Sequence, residues 1–184
     1  MSSDTGNIKN RWIVVVGALV IQLCLGAIYS WSVFTNKLTI PLSEGGEYGF
    51  TASQAAWVFS AGLATFAVVM VWAGRQQKKY GPKKLAIASA FVLGLGYILG
   101  GLFGNSFPAQ LFFIGIVGGA GIGLGYVVPI AVGVKWFPDK KGMITGLAVA
   151  GFGFGATLWV KLAGSWFGGL LNIASVLDLP EIGR

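Results

Sequence analysis

Residues Gly74 to Lys84, "GRQQKKYGPKK", place five Lys or Arg residues and no acid between two runs of almost pure hydrocarbon. The runs on either side, about Ala52 to Ala73 and Leu85 to Gly104, each approach or exceed the roughly 20 residues that a helix needs to cross about 30 Å of hydrocarbon. A short basic segment between two such runs reads as the turn between two membrane-spanning helices. The same reading extends to three further runs, from about Trp12 to Phe34, Gln110 to Val134 and Met143 to Gly164. Helices are expected rather than strands, because an open strand leaves backbone groups unsatisfied in lipid. The first run is too long for the apolar stretch of a cleavable signal and has no small-residue cleavage site after it.

Composition agrees. Of the 184 residues 55% are hydrophobic and 10% charged, with a mean hydropathy of +0.75, whereas roughly a quarter of an ordinary soluble domain is charged. So few polar residues cannot cover the outside of a soluble fold. The expected fold is an all-α integral membrane protein of five transmembrane helices. The net charge of +7 lies in short clusters, without a basic helix face or an aromatic platform, which argues against nucleic acid as a partner. The single cysteine, Cys24, sits inside an apolar run, and there is no His. Neither a disulfide framework nor a His-based catalytic or metal site is available. No acid pair, activated nucleophile or ligand cluster points to an enzyme, and no cofactor is expected.

Charge asymmetry orients the chain. With the N-terminus cytoplasmic, the inner segments 1–11, 74–84 and 135–142 carry two, five and three Lys or Arg, while the outer segments 35–51 and 105–109 carry only Lys37, beside Glu44 and Glu47. Ten against one satisfies the positive-inside rule. A multi-pass protein of the cytoplasmic membrane is expected, its basic clusters meeting lipid phosphates.

The spacing within the opening stretch carries more. Gly74, Arg75, Lys78, Gly81, Pro82 and Lys83 resemble the loop between helices 2 and 3 of the major facilitator superfamily, where glycines permit a tight turn. "NRWIVVVGALVIQLCLGAIYSWSVF", "KKYGPKK" and "GGAGIGLGYVVPIAVGVKWFPDKKGMITGLAVAGFGFGA" together resemble its oxalate/formate antiporter family, and the likeness covers nearly the whole chain. The resemblance implies a secondary transporter of small carboxylate anions, by oxalate/formate-type exchange or monocarboxylate transport, with a small organic anion as substrate. It further implies that residues 1–184 are most of the N-terminal six-helix half of a twelve-helix protein, ending after "NIASVLDLPEIGR", with the second half and its substrate-pairing cations absent. The alternative is a small non-transporting membrane subunit or scaffold.

Carried over position by position, the family's cavity aromatics fall on Tyr29, Tyr126 and Phe152, and an amide of helix 2 on Gln54. Phe152 stands where the family's oxalate transporter has Tyr, and Ile28 where it has Gln. Two hydrogen-bond donors are lost, which favours a small monocarboxylate over oxalate. Read from the residues, Gln22, Gly26 and Tyr29 share one helix face by four-and-three spacing.

Where the loop motif has an acid this chain has Lys78. Asp139 then has two open roles, pairing with Arg75 or Lys78, or standing solvated as a first-turn charge of the fifth helix. Lys161 lies about 27 Å along that helix from Met143 at 1.5 Å per residue, where it either snorkels to the outer interface or attracts an anion. Trp12, Trp57 and Trp136 are expected as interfacial anchors. Glycine recurs at four-residue spacing, at 96, 100 and 104, at 115, 119 and 123, and at 151 and 155. Such small faces let helix backbones approach closely in lipid, for packing alone or also for the rocking of alternating access.

Overall fold

The computed structural model describes residues 11–46 and 48–166; Glu47, residues 1–10 and the C-terminal "NIASVLDLPEIGR" lie outside them. Five helices among the described residues are long and apolar enough to cross a membrane: Trp12–Leu38, Ala52–Tyr80, Pro82–Phe103, Phe107–Trp136 and Lys141–Leu162. They are called spans 1 to 5 below. The ends at Trp12, Tyr80, Pro82, Trp136 and Lys141 share the basic clusters, so that end of the bundle is called the basic side.

Helix boundaries follow local chemistry. Span 2 starts with a capping box: the Gln54 amide N–H donates to Thr51 Oγ1 (3.2 Å), and the Thr51 amide donates to Gln54 Oε1 (2.9 Å). Together these satisfy two of the donors that a helix start leaves without partners. The span then continues through the basic stretch as far as Tyr80, and the whole reversal is made at Gly81, with φ 82° and ψ 160°, before Pro82 opens span 3. Only glycine adopts that backbone conformation without strain. Gly74, Arg75 and Lys78 therefore belong to the last turns of a helix and not to a loop; a Cβ on Gly74 would make ordinary contact with Val127 Cγ2 at 3.7 Å. At the opposite side, Gln110 is buried and its Nε2 donates to Gly104 O (3.1 Å) and Gly100 O (3.4 Å). Its amide thus closes off carbonyl groups at the end of span 3, which have no intrahelical donor.

Two spans are irregular. Span 1 is α-helical over Trp12–Leu25, tightens to a 3₁₀ turn over Gly26–Ser30, and resumes over Trp31–Leu38. Span 4 winds with i→i+5 hydrogen bonds over Leu111–Gly118 and carries Pro129 inside its helix Gly119–Trp136. Irregular turns of both kinds concentrate at functional places in helices.

Span 4 is the central post, and glycine is why. A Cβ on Gly119 would stand 2.5 Å from Gly62 O in span 2, and one on Gly121 2.5 Å from Leu93 N in span 3; spans 1 and 5 meet as closely away from span 4, where a Cβ on Gly26 would stand 2.5 Å from Phe152 O. Backbone contact at that range leaves no room for any side chain, and in lipid it supplies the dispersion energy that apolar surface cannot. Polar side chains cross-link the seams: Ser89 Oγ donates to Gly121 O (2.7 Å), Trp31 Nε1 to Ala55 O (3.0 Å) and Trp159 Nε1 to Leu23 O (2.9 Å).

One buried cluster, Leu25, Ile28, Ile122 and Phe152, occupies the middle of the bundle, and a second, Val15, Phe137 and Ile144, lies toward the basic side. The outside is apolar: Val68, Phe91 and Phe154 are 71%, 69% and 70% exposed. Such a surface is at rest only in hydrocarbon.

The basic side is tied together at the turn between spans 4 and 5. Asp139 pairs with Arg11 at 3.7 Å, the Arg11 guanidinium lies 4.6 Å from the centre of the fully buried Phe137 ring, and Trp12 packs on the same ring at 5.2 Å. This corrects the choice of Arg75 or Lys78 as its partner. Both those residues sit on the last turns of span 2, while Arg11, at the foot of span 1, is the cation that reaches Asp139. Both groups are half-exposed, so the pair adds on the order of 1 kcal/mol or less.

Candidate functional site

The 3₁₀ turn of span 1 and the helices of spans 2, 4 and 5 bring four aromatic rings to one place. The 3₁₀ turn carries Tyr29, whose ring meets Phe152 of span 5 edge-on at 5.3 Å. Tyr126, three residues before Pro129, meets the same Phe152 ring edge-on at 5.0 Å. Phe66 of span 2 completes the group, 5.2 Å from Tyr126 and stacked at 6.2 Å on Phe152. Four spans thus contribute one ring each, with Phe152 buried at the centre and Tyr29 39% exposed at the edge.

The depth of this cluster follows from the helices. Tyr29, seventeen residues from Trp12, reaches the cluster from the side opposite the basic clusters, while Tyr126 and Phe152 lie ten and eleven residues from the basic ends Trp136 and Lys141 of their spans. At 1.5 Å per residue that is about 15 Å, half of a hydrocarbon layer of about 30 Å. Phe66 stands at the middle of Ala52–Tyr80. The cluster is at the middle of the membrane.

Gln22, Gly26 and Tyr29 do share a face, and that face turns toward spans 4 and 5. Gln22 is completely buried, with Nε2 donating to Tyr126 O at 3.4 Å and Oε1 without a partner. Gly26 meets the backbone of Phe152 and Gly155.

Edge-to-face rings turn positive ring edges toward their neighbours, and the two phenols add hydroxyl groups that can donate a hydrogen bond. Among the described residues no Lys or Arg lies at this depth. The site can offer an anion weak positive edges and hydrogen bonds, but no counter-charge of its own.

Gln54 does not join the cluster. Its side-chain carbonyl is committed to the capping box at the end of span 2 opposite the basic side, and a cap has to lie at the helix terminus rather than at mid-depth. Phe66 was not singled out by the sequence: one Phe among thirteen, in an apolar run broken only by Thr65 beside it, carries no local signal. Only its position at the middle of span 2 connects it to Tyr126 and Phe152. A cavity of about 600 Å³ extends from the side opposite the basic clusters, among Trp31, Lys37, Tyr48, Tyr97 and Gln110, as far as Ile28 and Ile122 of the central buried cluster; none of Tyr29, Gln54, Tyr126 or Phe152 lines it.

The chain is similar to known membrane carriers. It is 34% identical over 80% of its length to YhjX, an uncharacterized MFS-type transporter of Escherichia coli, and 30% identical over 98% to the oxalate:formate antiporter of Oxalobacter formigenes. It is 27% identical over 88% to apicoplast pyruvate carrier 1 of Toxoplasma gondii. The aligned regions are 35%, 39% and 36% of those proteins, so the chain spans little more than a third of the length of the curated relatives it matches. The family model for the Major Facilitator Superfamily matches residues 10–177. That match over residues 10–177, on a chain whose described residues form five apolar helices packed through glycine seams, shows that the chain belongs to the major facilitator superfamily.

Proposed function

We propose that this chain supplies one wall of a secondary transporter for small carboxylate anions, with monocarboxylates preferred over oxalate. The observation that carries the reading is the four-ring cluster of Tyr29, Phe66, Tyr126 and Phe152 at the middle of the bundle. A carboxylate that leaves water needs replacement hydrogen bonds, each worth on the order of 1.5 to 3 kcal/mol to a charged group, and the two phenols carry hydroxyl groups able to donate them. Phe66 and Phe152 line the same spot with hydrocarbon, which suits an anion with one charged end. Two of the relatives are named for oxalate and formate and for pyruvate, which are small carboxylates. The counter-charge is assigned to a second half-bundle, because sites of this kind lie between two halves.

Vesicle uptake tests this. The longest open frame that contains these residues should show saturable uptake of labelled formate, lactate or pyruvate, while the 184-residue chain alone should insert and transport none of them. Saturable uptake by the short chain would refute the half-bundle reading, and a full-length protein indifferent to every small carboxylate would refute the substrate class.

The same reading puts the basic side in the cytoplasm and the protein in the cytoplasmic membrane, in keeping with the ten-to-one excess of Lys and Arg. Single cysteines at positions 3 and 43 should respond oppositely to an impermeant maleimide in intact cells, with 43 labelled and 3 protected. Labelling of 3 without 43 reverses the orientation.

A further inference from the structure

We infer that Gln22 is a positioning residue of the mid-membrane site: it sets the backbone turn that carries Tyr126, at the place where Pro129 has weakened that turn. The inference rests on the carrier reading above for what Tyr126 does, but not for how Tyr126 is held.

Pro129 brings no N–H to the carbonyl of Gly125, and its ring crowds that carbonyl, so the turn from 125 to 129 lacks one helical hydrogen bond. In the same turn, one residue on, Tyr126 O accepts the cross-helix bond from Gln22 Nε2 at 3.4 Å. The orientation of the amide is settled by its partner, since a flipped amide would set oxygen against oxygen. The other half of that amide is left over. Gln22 is 0% exposed and its Oε1 has no hydrogen-bond partner. A half-satisfied amide at mid-membrane is more costly than a leucine or methionine of similar size. Packing alone would favour the apolar residue.

The surroundings give the turn somewhere to go. On the basic side of Gln22, spans 1 and 4 leave an apolar gap of about 200 Å³ lined by Val14, Gly17, Ala18, Ile21, Val128, Pro129 and Val132. Without the Gln22 bond, the loosened turn can relax into this gap and carry the Tyr126 ring away from Phe152 and Phe66, which it meets at 5.0 and 5.2 Å. Gln22 thus acts at a distance from its own side chain. It holds a backbone carbonyl so that a hydroxyl elsewhere on the same residue stays aimed.

The test compares Gln22→Met, Pro129→Ala and the double variant in the full-length protein. Gln22→Met keeps an unbranched apolar chain and removes the donor. Pro129→Ala returns the missing helical N–H, so it should make Gln22 dispensable. The first readout needs no substrate: 3-fluorotyrosine is incorporated, the Tyr126 ¹⁹F signal is assigned by its loss in Tyr126→Phe, and its shift and width are followed. The signal should move or broaden in Gln22→Met and return to its wild-type position in the double variant. The second readout is uptake, where Gln22→Met should raise the apparent KM about tenfold at unchanged kcat, and the double variant should restore it to within about twofold, as expected for one hydrogen bond to a charged substrate aligned or misaligned. An unmoved Tyr126 signal in Gln22→Met overturns the inference, and so does a displaced signal that Pro129→Ala fails to restore. If the ¹⁹F pattern holds while no variant, wild type included, transports a carboxylate, the carrier reading falls and the positioning role stands.

Discussion

Gly119→Val should strongly weaken the packing of spans 2 and 4, while leaving each helix in the membrane. The α-carbon of Gly119 faces span 2 so closely that an added Cβ stands 2.5 Å from Gly62 O and 3.0 Å from Gly62 Cα. Both obstacles are backbone, so no rotamer change relieves the clash, and the two helices have to move apart. That motion would also part Gly115 from Val58 O and Gly123 from Phe66 O, which a Cβ would meet at 3.0 and 2.8 Å along the same seam. Overpacking of this kind costs about 1–3 kcal/mol in soluble cores and occasionally more. Three contacts along one seam put the effect at the upper end, roughly a hundredfold in the equilibrium between packed and separated helices. Hydropathy is unchanged or raised by valine, so insertion should be normal. Gly94→Val is the matched control, since a Cβ there meets nothing within 4 Å. Thermal unfolding in detergent should separate them, with Gly119→Val unfolding at a clearly lower midpoint and Gly94→Val keeping the wild-type one. Equal midpoints would mean that the seam is not what holds spans 2 and 4 together.

The second large effect is expected from the two phenols of the proposed site. Tyr29→Phe and Tyr126→Phe each remove one hydroxyl and keep the ring, so the edge-to-face contacts with Phe152 at 5.3 and 5.0 Å are preserved. If each hydroxyl donates to a carboxylate, each change should weaken apparent affinity by roughly tenfold or more, from about 1.5 to 3 kcal/mol per hydrogen bond to a charged group. The double variant should lose about a hundredfold, because the two hydroxyls would reach different oxygens and act additively. Competition of unlabelled formate and lactate against labelled substrate in vesicles measures this. If the double variant binds with unchanged affinity and inserts normally, Tyr29 and Tyr126 are packing residues and the site lies elsewhere.

The sequence by itself determined that this is a membrane protein with five spans among the described residues, because that follows from run length and hydropathy, which are properties of the chain and its solvent and not of its packing. The glycines at 115, 119 and 123 were legible as a close-packing face for the same reason, since period and residue size suffice to define it. Tyr29, Tyr126 and Phe152 were legible through resemblance, and the structure brings their rings together. Neither their role nor the orientation of the bundle is decided by that meeting. The tertiary structure alone decided the partners. Asp139 had several basic neighbours in sequence, and only the foot of span 1 reaching the turn between spans 4 and 5 selects Arg11. Gln54 looked like a polar residue in a span, and became part of a cap because the N-cap residue, Thr51, stands three residues before it. The basic stretch looked like an eleven-residue turn, and proved to be a helix end closed at Gly81, because Tyr80 and the lysines before it keep good helical geometry until one residue with positive φ reverses the chain. Phe66 and the Gln22–Tyr126 bond, which joins residues 104 apart, had no local signal. A contact between distant residues exists only after four helices have been laid side by side, and no period in any one of them encodes which neighbour it will meet.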